Sequence, residues 1–285
     1  MSVKQTRTQT PEIISADVER EAVASTAEDS WIDWRQHTAA RIALGRAGSA
    51  LPSREILSFG LAHAQARDAI HTPLDTVALQ AELQEAGWPT LVTRSQAIDR
   101  AQYLMRPDLG RRLAEGELLS DHLFVQADRL QDQMGYDLAF VVGDGLSSIA
   151  VQRHVMPLLH ALKPLLDDRY CVAPVVIATQ ARVALADEIG AQIKARLVAM
   201  LIGERPGLSS PDSLGIYLTY APRVGRHDAE RNCISNVRPA GLDYAPAAFK
   251  LHWLITQALQ RGLTGVDLKD ESDLSLASVA AAQLP

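Results

Sequence analysis

The sequence predicts an α/β fold: a mostly parallel sheet preceded by a helical N-terminal region. Three observations carry that expectation. Short apolar runs recur in the second half, at YDLAFVV (136–142), CVAPVVIA (171–178), RLVAMLI (196–202) and LGIYLTY (214–220), and runs of this length suit strands buried on both faces. Helical stretches separate the first three of them, which argues for parallel strands joined by right-handed crossovers. Residues 31–130, in contrast, carry helical spacing broken by Pro and Gly stops.

Taken in order, residues 1–30 are polar, of mixed charge and without an apolar stripe, so they read as a flexible N-terminal arm. The helical region follows, over 31–130. Pro52-Ser53 opens a helix with Ser53 as N-cap, and Leu57, Leu61 and Ala64 recur at i, i+4, i+7. A second helix starts near Asp75, carries Leu79 and Leu83, and stops at Gly87. A third runs from near Ser95 to before Pro107, and Asp108 caps a fourth through LGRRLAEGELL.

The sheet domain occupies 131–270. Its first crossover, IAVQRHVMPLLHALKPLL, contains Pro157, a kink point. Its second, ARVALADEIGAQIKA, places Ala186, Ile189 and Ile193 on one face. Only GERPGLSSPDS joins the third and fourth runs. That is short for a crossover helix, so the fourth strand is expected to be antiparallel or to join the sheet edge. A last helix, PAAFKLHWLITQALQ, carries Ala247, Leu251, Leu254 and Ala258 on one stripe and stops at Gly262. Residues 271–285 read as a loose C-terminal tail.

Composition excludes some classes of function. The net charge is -6 and the pI about 5.8, so the chain as a whole repels nucleic acid. No apolar run approaches the ~20 residues needed to span a bilayer. Cys171 and Cys233 fit no C-x-x-C pattern, which suggests reduced thiols in a cytoplasmic protein and neither a disulfide framework nor a zinc site. No H-x-x-x-H, H-E-x-x-H or G-x-S-x-G occurs, so no metal site or nucleophile elbow can be argued.

Ligands of open parallel sheets bind beyond the carboxyl ends of the strands. Three loops belong there: Gly143–Ser148, Thr179–Val183 and Gly203–Gly207. GDGLSS is either a tight turn with an N-cap or a ligand contact, and Asp144 in it would repel a phosphate at the helix N-terminus. Glu204-Arg205 is either a solvated pair or part of a ligand wall. Arg111-Arg112 reads as an exposed basic face, and His252 as a core or semi-buried histidine. A ligand-shaped fold edge without an acid, base or nucleophile suits a subunit that binds something and leaves chemistry to a partner.

The segments GRAG (45–48), RPDLGRRL (106–113), DGLSS (144–148), IGERPGL (202–208) and NCISNVRPAG (232–241) together resemble the small (light) subunit of ethanolamine ammonia-lyase, over roughly residues 30–270. The resemblance implies radical cleavage of ethanolamine to acetaldehyde and ammonia with adenosylcobalamin. It implies a large TIM-barrel subunit holding substrate, in an assembly of six large and six small chains. It makes 131–270 a Rossmann-like cobalamin-binding domain that encloses the cofactor, base-on, at the subunit interface. The family's cobalamin contacts fall on Val183, Glu204 and Cys233, with no catalytic residue or metal ligand in this chain, which alone would be inactive. The absence of D-x-H-x-x-G fits a cofactor that keeps its own base on cobalt. The expected location is cytoplasmic, with enclosure in a bacterial microcompartment left open. The rival readings are a stand-alone Rossmann-like nucleotide-binding enzyme and a regulatory or scaffold subunit.

Overall fold

A computed structural model describes residues 31–38, 40–117, 135–166 and 169–273. The arm expected over 1–30, the tail from 274 and the later part of the fourth helix lie outside the described residues. The chain divides into two compact units, Met1–Phe59 and Gly60–Pro285. In the first, a 3-10 turn, Ile32–His37, and a bridge between Ala47 and Ala50 precede the opening turns of α1 (Ser53–His71). The Arg41 guanidinium lies 5.6 Å over the Phe59 ring. Trp31, Trp34, Ile56 and Leu57 in this unit are exposed.

The second unit is built on a six-stranded sheet of order β1-β3-β2-β4-β5-β6. The strands are β1 (Thr90–Arg94), β2 (Leu138–Gly143), β3 (Val175–Thr179), β4 (Leu197–Gly203), β5 (Leu214–Tyr220) and β6 (Arg231–Val237). β1, β3, β2 and β4 run parallel, and β5 and β6 are antiparallel additions. The helices are α2 (Thr76–Glu85), α3 (Arg100–Met105), α4 (Ser148–Leu162), α5 (Leu185–Gln192) and α6 (Tyr244–Arg261). The α/β class expected from the sequence is therefore the class found.

Strand alternation splits the core into two layers. Leu138, Phe140 and Val142 of β2, with Leu197, Ala199 and Leu201 of β4, pack with buried residues of α2, α4 and α6. The intervening Ala139, Val141, Val198, Met200 and Ile202 pack with Leu185, Ala186 and Ile189 of α5. A period of two sends neighbouring side chains to opposite faces, and helices on both faces bury them. Each large apolar side chain so buried stabilises the fold by about 1.5–3 kcal/mol. Trp88 closes one end of the first layer edge-on to Phe140, with ring centroids 5.8 Å apart.

The helix signals act as read for α2, α4 and α6. The Asp75 carboxylate accepts from Ala78 N–H and Gly87 takes a positive φ of 78°. Ser147 caps α4 by accepting from Ala150 N–H, and Pro157 sits inside that helix without ending it. Ala247, Leu251, Leu254 and Ala258 of α6 are buried, and Gly262 closes it in the left-handed region.

Other expectations need correction. Leu57 and Leu61 of α1 are 73% and 61% exposed, while Ala62 and Ala69 are buried. The large side chains read as an inward stripe thus face solvent, and two alanines one position off that register make the close contacts. β1 interrupts the region expected to be helical. β6 was read only as a motif-bearing segment. Both are edge strands, TLVTR and RNCISNV, whose polar alternation reflects one solvated face. The expected fourth helix is a single 3-10 turn, Leu109–Arg111, after which Leu113 bridges to Ser95. β5 is antiparallel, as the short connection required, but β6 pairs beyond it, so β5 is not the edge.

Candidate functional site

The three loops singled out in the sequence meet at the carboxyl ends of β2, β3 and β4, and two glycines let them meet. Leu146 N–H donates to the Gly203 carbonyl at 2.9 Å. A Cβ on Gly203 would collide with the Ser147 carbonyl, and one on Gly145 with the Gly203 carbonyl. Gly145 also adopts a positive φ of 59°, a region that disfavours side-chain-bearing residues. The GDGLSS turn is therefore packed directly on the end of β4.

Asp144 does not face a ligand. Its side chain is buried, accepting from Gln180 N–H at 2.8 Å and Ala181 N–H at 2.9 Å, with Arg100 at 3.9 Å. Burial pushes its carboxyl up, against the pull of the two amides and Arg100. The carboxylate knits the loop after β2 to the loop after β3, and the repulsion of phosphate inferred from its position does not arise at the surface.

Beyond these loops lies a pocket of about 440 Å³, whose lining includes Leu146, Val183, Ile202, Glu204 and Arg205. Tyr103, Arg182 and Tyr217 also line it. Val183 lies in this lining, its carbonyl accepting Ala186 N–H. Glu204 is half-buried and engaged: Ser213 Oγ donates to its carboxylate at 2.5 Å, and Asn236 N–H approaches both oxygens at 3.3 Å. Its own N–H donates to the Ser213 carbonyl. Arg205 is exposed and, among the described residues, in no ion pair. Cys233 is exposed on β6, directly across from Tyr217 of β5, with Sγ 3.4 Å from Ser235 Oγ. The pocket and its rim thus bring together all three expected contact residues, Val183 and Glu204 in the lining and Cys233 beside it.

Tyr217 links them electrostatically. Burial raises its phenol, and the Cys233 thiol and Glu204 carboxylate raise it further, so it remains a neutral donor. Tyr103, fully buried on α3, is raised to about 12, chiefly by burial and partly offset by Arg182. Its hydroxyl donates to the Ala181 carbonyl at 3.2 Å. The wall therefore offers a carboxylate, the Tyr217 phenol, backbone groups and guanidinium donors. It can bind a large polar ligand, but it holds no nucleophile paired with a base.

Tyr103, Arg182 and Tyr217 were not identified from the sequence. Tyr217 was legible as an alternate position of a strand whose end carries the site. Tyr103 had no local signal, since it reaches the pocket from a helix far earlier in the chain. Arg112, read as an exposed face, pairs with Glu188 at 2.9 Å. His252 is half-buried on α6, away from the pocket lining. Among the described residues, no group of three or more His, Cys, Asp or Glu side chains is placed to hold a metal ion.

Comparison with known proteins bears on what this pocket serves. Residues 28–269 match the family model described as ethanolamine ammonia-lyase light chain. The chain is 52% identical over 256 residues to the ethanolamine ammonia-lyase small subunit of Ralstonia nicotianae, covering 89% of this chain and 93% of that one. It is 54% identical to the protein of the same name from Azotobacter vinelandii, over 87% of this chain and 91% of that one. The Pseudomonas fluorescens small subunit is 51% identical, over 87% and 89% respectively.

Proposed function

Since the chain belongs to the ethanolamine ammonia-lyase light-chain family, we propose that it is the small subunit of an adenosylcobalamin-dependent ethanolamine ammonia-lyase. In this reading it pairs with a large TIM-barrel subunit, six chains of each, and the pocket at the sheet's carboxyl edge is its part of the cofactor wall. The observation that carries the proposal is that Val183 and Glu204 line one pocket while Cys233 lies across from its Tyr217.

The donor set fits a corrinoid. A corrin rim carries neutral amides, which need both acceptors and donors. The Glu204 carboxylate and the neutral Tyr217 phenol supply one of each. Val183 adds an apolar contact, and Cys233 a small, weakly polar one. Val183, Glu204 and Cys233 would contact adenosylcobalamin held between the subunits, and the cofactor would supply radical chemistry there.

This chain's own part is to bind, orient and exclude water. Ser213 and the Asn236 amide hold Glu204 at the pocket wall, so it meets the ligand already oriented. Asp144 and the two glycines lock the loops that form the floor. No side chain here is assigned a proton transfer. The cytoplasm suits this reading, with a microcompartment as a further enclosure. A test is to titrate adenosylcobalamin into full-length chain, large subunit and their mixture. Tight binding only in the mixture supports the interface site. Saturable binding of a nucleotide, with turnover, by this chain alone would favour a stand-alone enzyme instead.

A further inference from the structure

We propose that Arg182 is an anion-recognising residue of this pocket, and that the group it holds is the phosphodiester of the cofactor's nucleotide loop; the assignment rests on the cobalamin reading above. The side chain is fixed in place. Its backbone N–H donates to the Gly110 carbonyl at 2.8 Å, Nη2 donates to the Tyr103 carbonyl at 3.1 Å, and the guanidinium lies 4.1 Å over the Tyr103 ring. A Cβ on Gly110 would lie 2.8 Å from Arg182 Cγ, so the glycine is what lets the stem pass.

Its charge, however, is not met. Among the described residues no carboxylate lies within ion-pair distance of Arg182, and its Nε is buried without an acceptor. Arg100, over the same ring at 4.7 Å, differs in its counter-charge: its Nη2 is likewise buried without an acceptor, but it has Asp144 at 3.9 Å and donates to the carbonyls of Ile70 and Gly145. Desolvating a cation is costly unless a counter-charge answers it, and a ring face answers only part. Arg205 lines the same pocket, also without a carboxylate. The one carboxylate lining it, Glu204, is already occupied by Ser213 and Asn236. In a chain of net charge -6, this pocket is a local positive exception, and the missing partner is an anion from outside.

The ligand's chemistry selects which anion. The corrin's amide side chains are neutral, and the phosphodiester is the fixed negative charge of the nucleotide loop. A guanidinium braced against a ring presents planar donors suited to phosphate oxygens.

The test is an equilibrium titration of the assembled complex with adenosylcobinamide, which lacks the phosphate, and with adenosylcobinamide phosphate, which has it. Wild-type complex is expected to bind the phosphate form about tenfold more tightly or better, the worth of a charge-assisted contact. Arg182→Gln should bring that ratio close to one while leaving adenosylcobinamide affinity within about twofold, and Arg182→Lys should keep part of the preference. Equal weakening of both ligands, or no change in either, overturns the assignment. So does a folded Arg182→Gln chain that no longer assembles with the large subunit, since the anion would then be a partner carboxylate. If Arg182→Gln does not fold, the wild-type ratio decides, and a ratio of one overturns it. Wild-type complex that does not bind adenosylcobalamin, titrated alongside, sinks the cobalamin reading itself and this assignment with it; one that binds it but gains nothing from the phosphate of the cobinamide sinks only the role of Arg182.

Discussion

Glu204 does two jobs at once. Its carboxylate receives Ser213 from the β4–β5 connection and the Asn236 amide from β6, and it forms part of the pocket wall. Glu204→Ala removes a charged acceptor, worth ~1.5–3 kcal/mol, so cobalamin affinity of the complex should fall roughly 10- to 150-fold. Glu204→Gln keeps one acceptor oxygen and should lose less. At saturating cofactor, maximal turnover should return in both variants. A cofactor titration of activity checks this; a roughly thousandfold fall in maximal turnover, with unchanged half-saturation, would make Glu204 catalytic. The loops that carry Val183 and Glu204 were legible because each follows a strand at the edge where open sheets bind ligands; Val183 itself was singled out only by the resemblance. The engagement of Glu204 was not, because Ser213 and Asn236 reach it only once β5 and β6 have folded back.

At the scale of elements, α5 and β6 are joined by a buried ion pair. Arg231 donates to both Asp187 oxygens at 2.6 and 2.7 Å, and to Thr219 Oγ1 at 3.0 Å. The side chains are 2% and 1% exposed. Asp187→Ala takes both carboxylate bonds from a buried guanidinium, which keeps Thr219, the Arg226 carbonyl and the exposed Asp228 at 3.5 Å, and should destabilise the fold by about 3 kcal/mol, read as a lowered denaturant midpoint. A loss below about 1 kcal/mol would mean that water reaches Arg231 or that another carboxylate replaces Asp187. The turn before β6 is pH-sensitive. His227 N–H, then Arg226, hold the half-buried Glu230 carboxyl down, from 4.5 to about 2. A depressed carboxyl stabilises the folded chain above its unfolded value and loses that contribution as pH falls through its folded one. The stability difference between wild type and Glu230→Gln should therefore be constant above pH 4.5 and shrink as pH drops toward 2. A difference that grows on acidification would contradict the assignment. The central strands could be read because each is an unbroken apolar run. The edge strands could not, because one solvated face gives β6 the polarity of a loop.

At the scale of the whole molecule, the pocket lies where the loops that follow the parallel strands converge. No helix among the described residues is long and apolar enough to cross a membrane, and the site opens at a sheet edge whose loops are tied to one another through Asp144 and the Gly145–Gly203 approach. The fold class was legible from the rhythm of apolar runs, and the family from motifs, of which DGLSS and IGERPGL meet at the carboxyl ends of the strands. What composition and spacing did not disclose is the part made by distant residues: Tyr103 under Arg182, Asn236 beside Glu204, and Asp187 against Arg231. These pairs are set by tertiary contact and leave no local pattern. On the proposed reading, this chain completes a cobalamin site that it cannot operate alone. The most direct measurement is acetaldehyde release from ethanolamine with saturating adenosylcobalamin, assayed for the full-length chain, for the large subunit and for their mixture. Release from the mixture and none from this chain is the predicted result; turnover by this chain without the large subunit would contradict it.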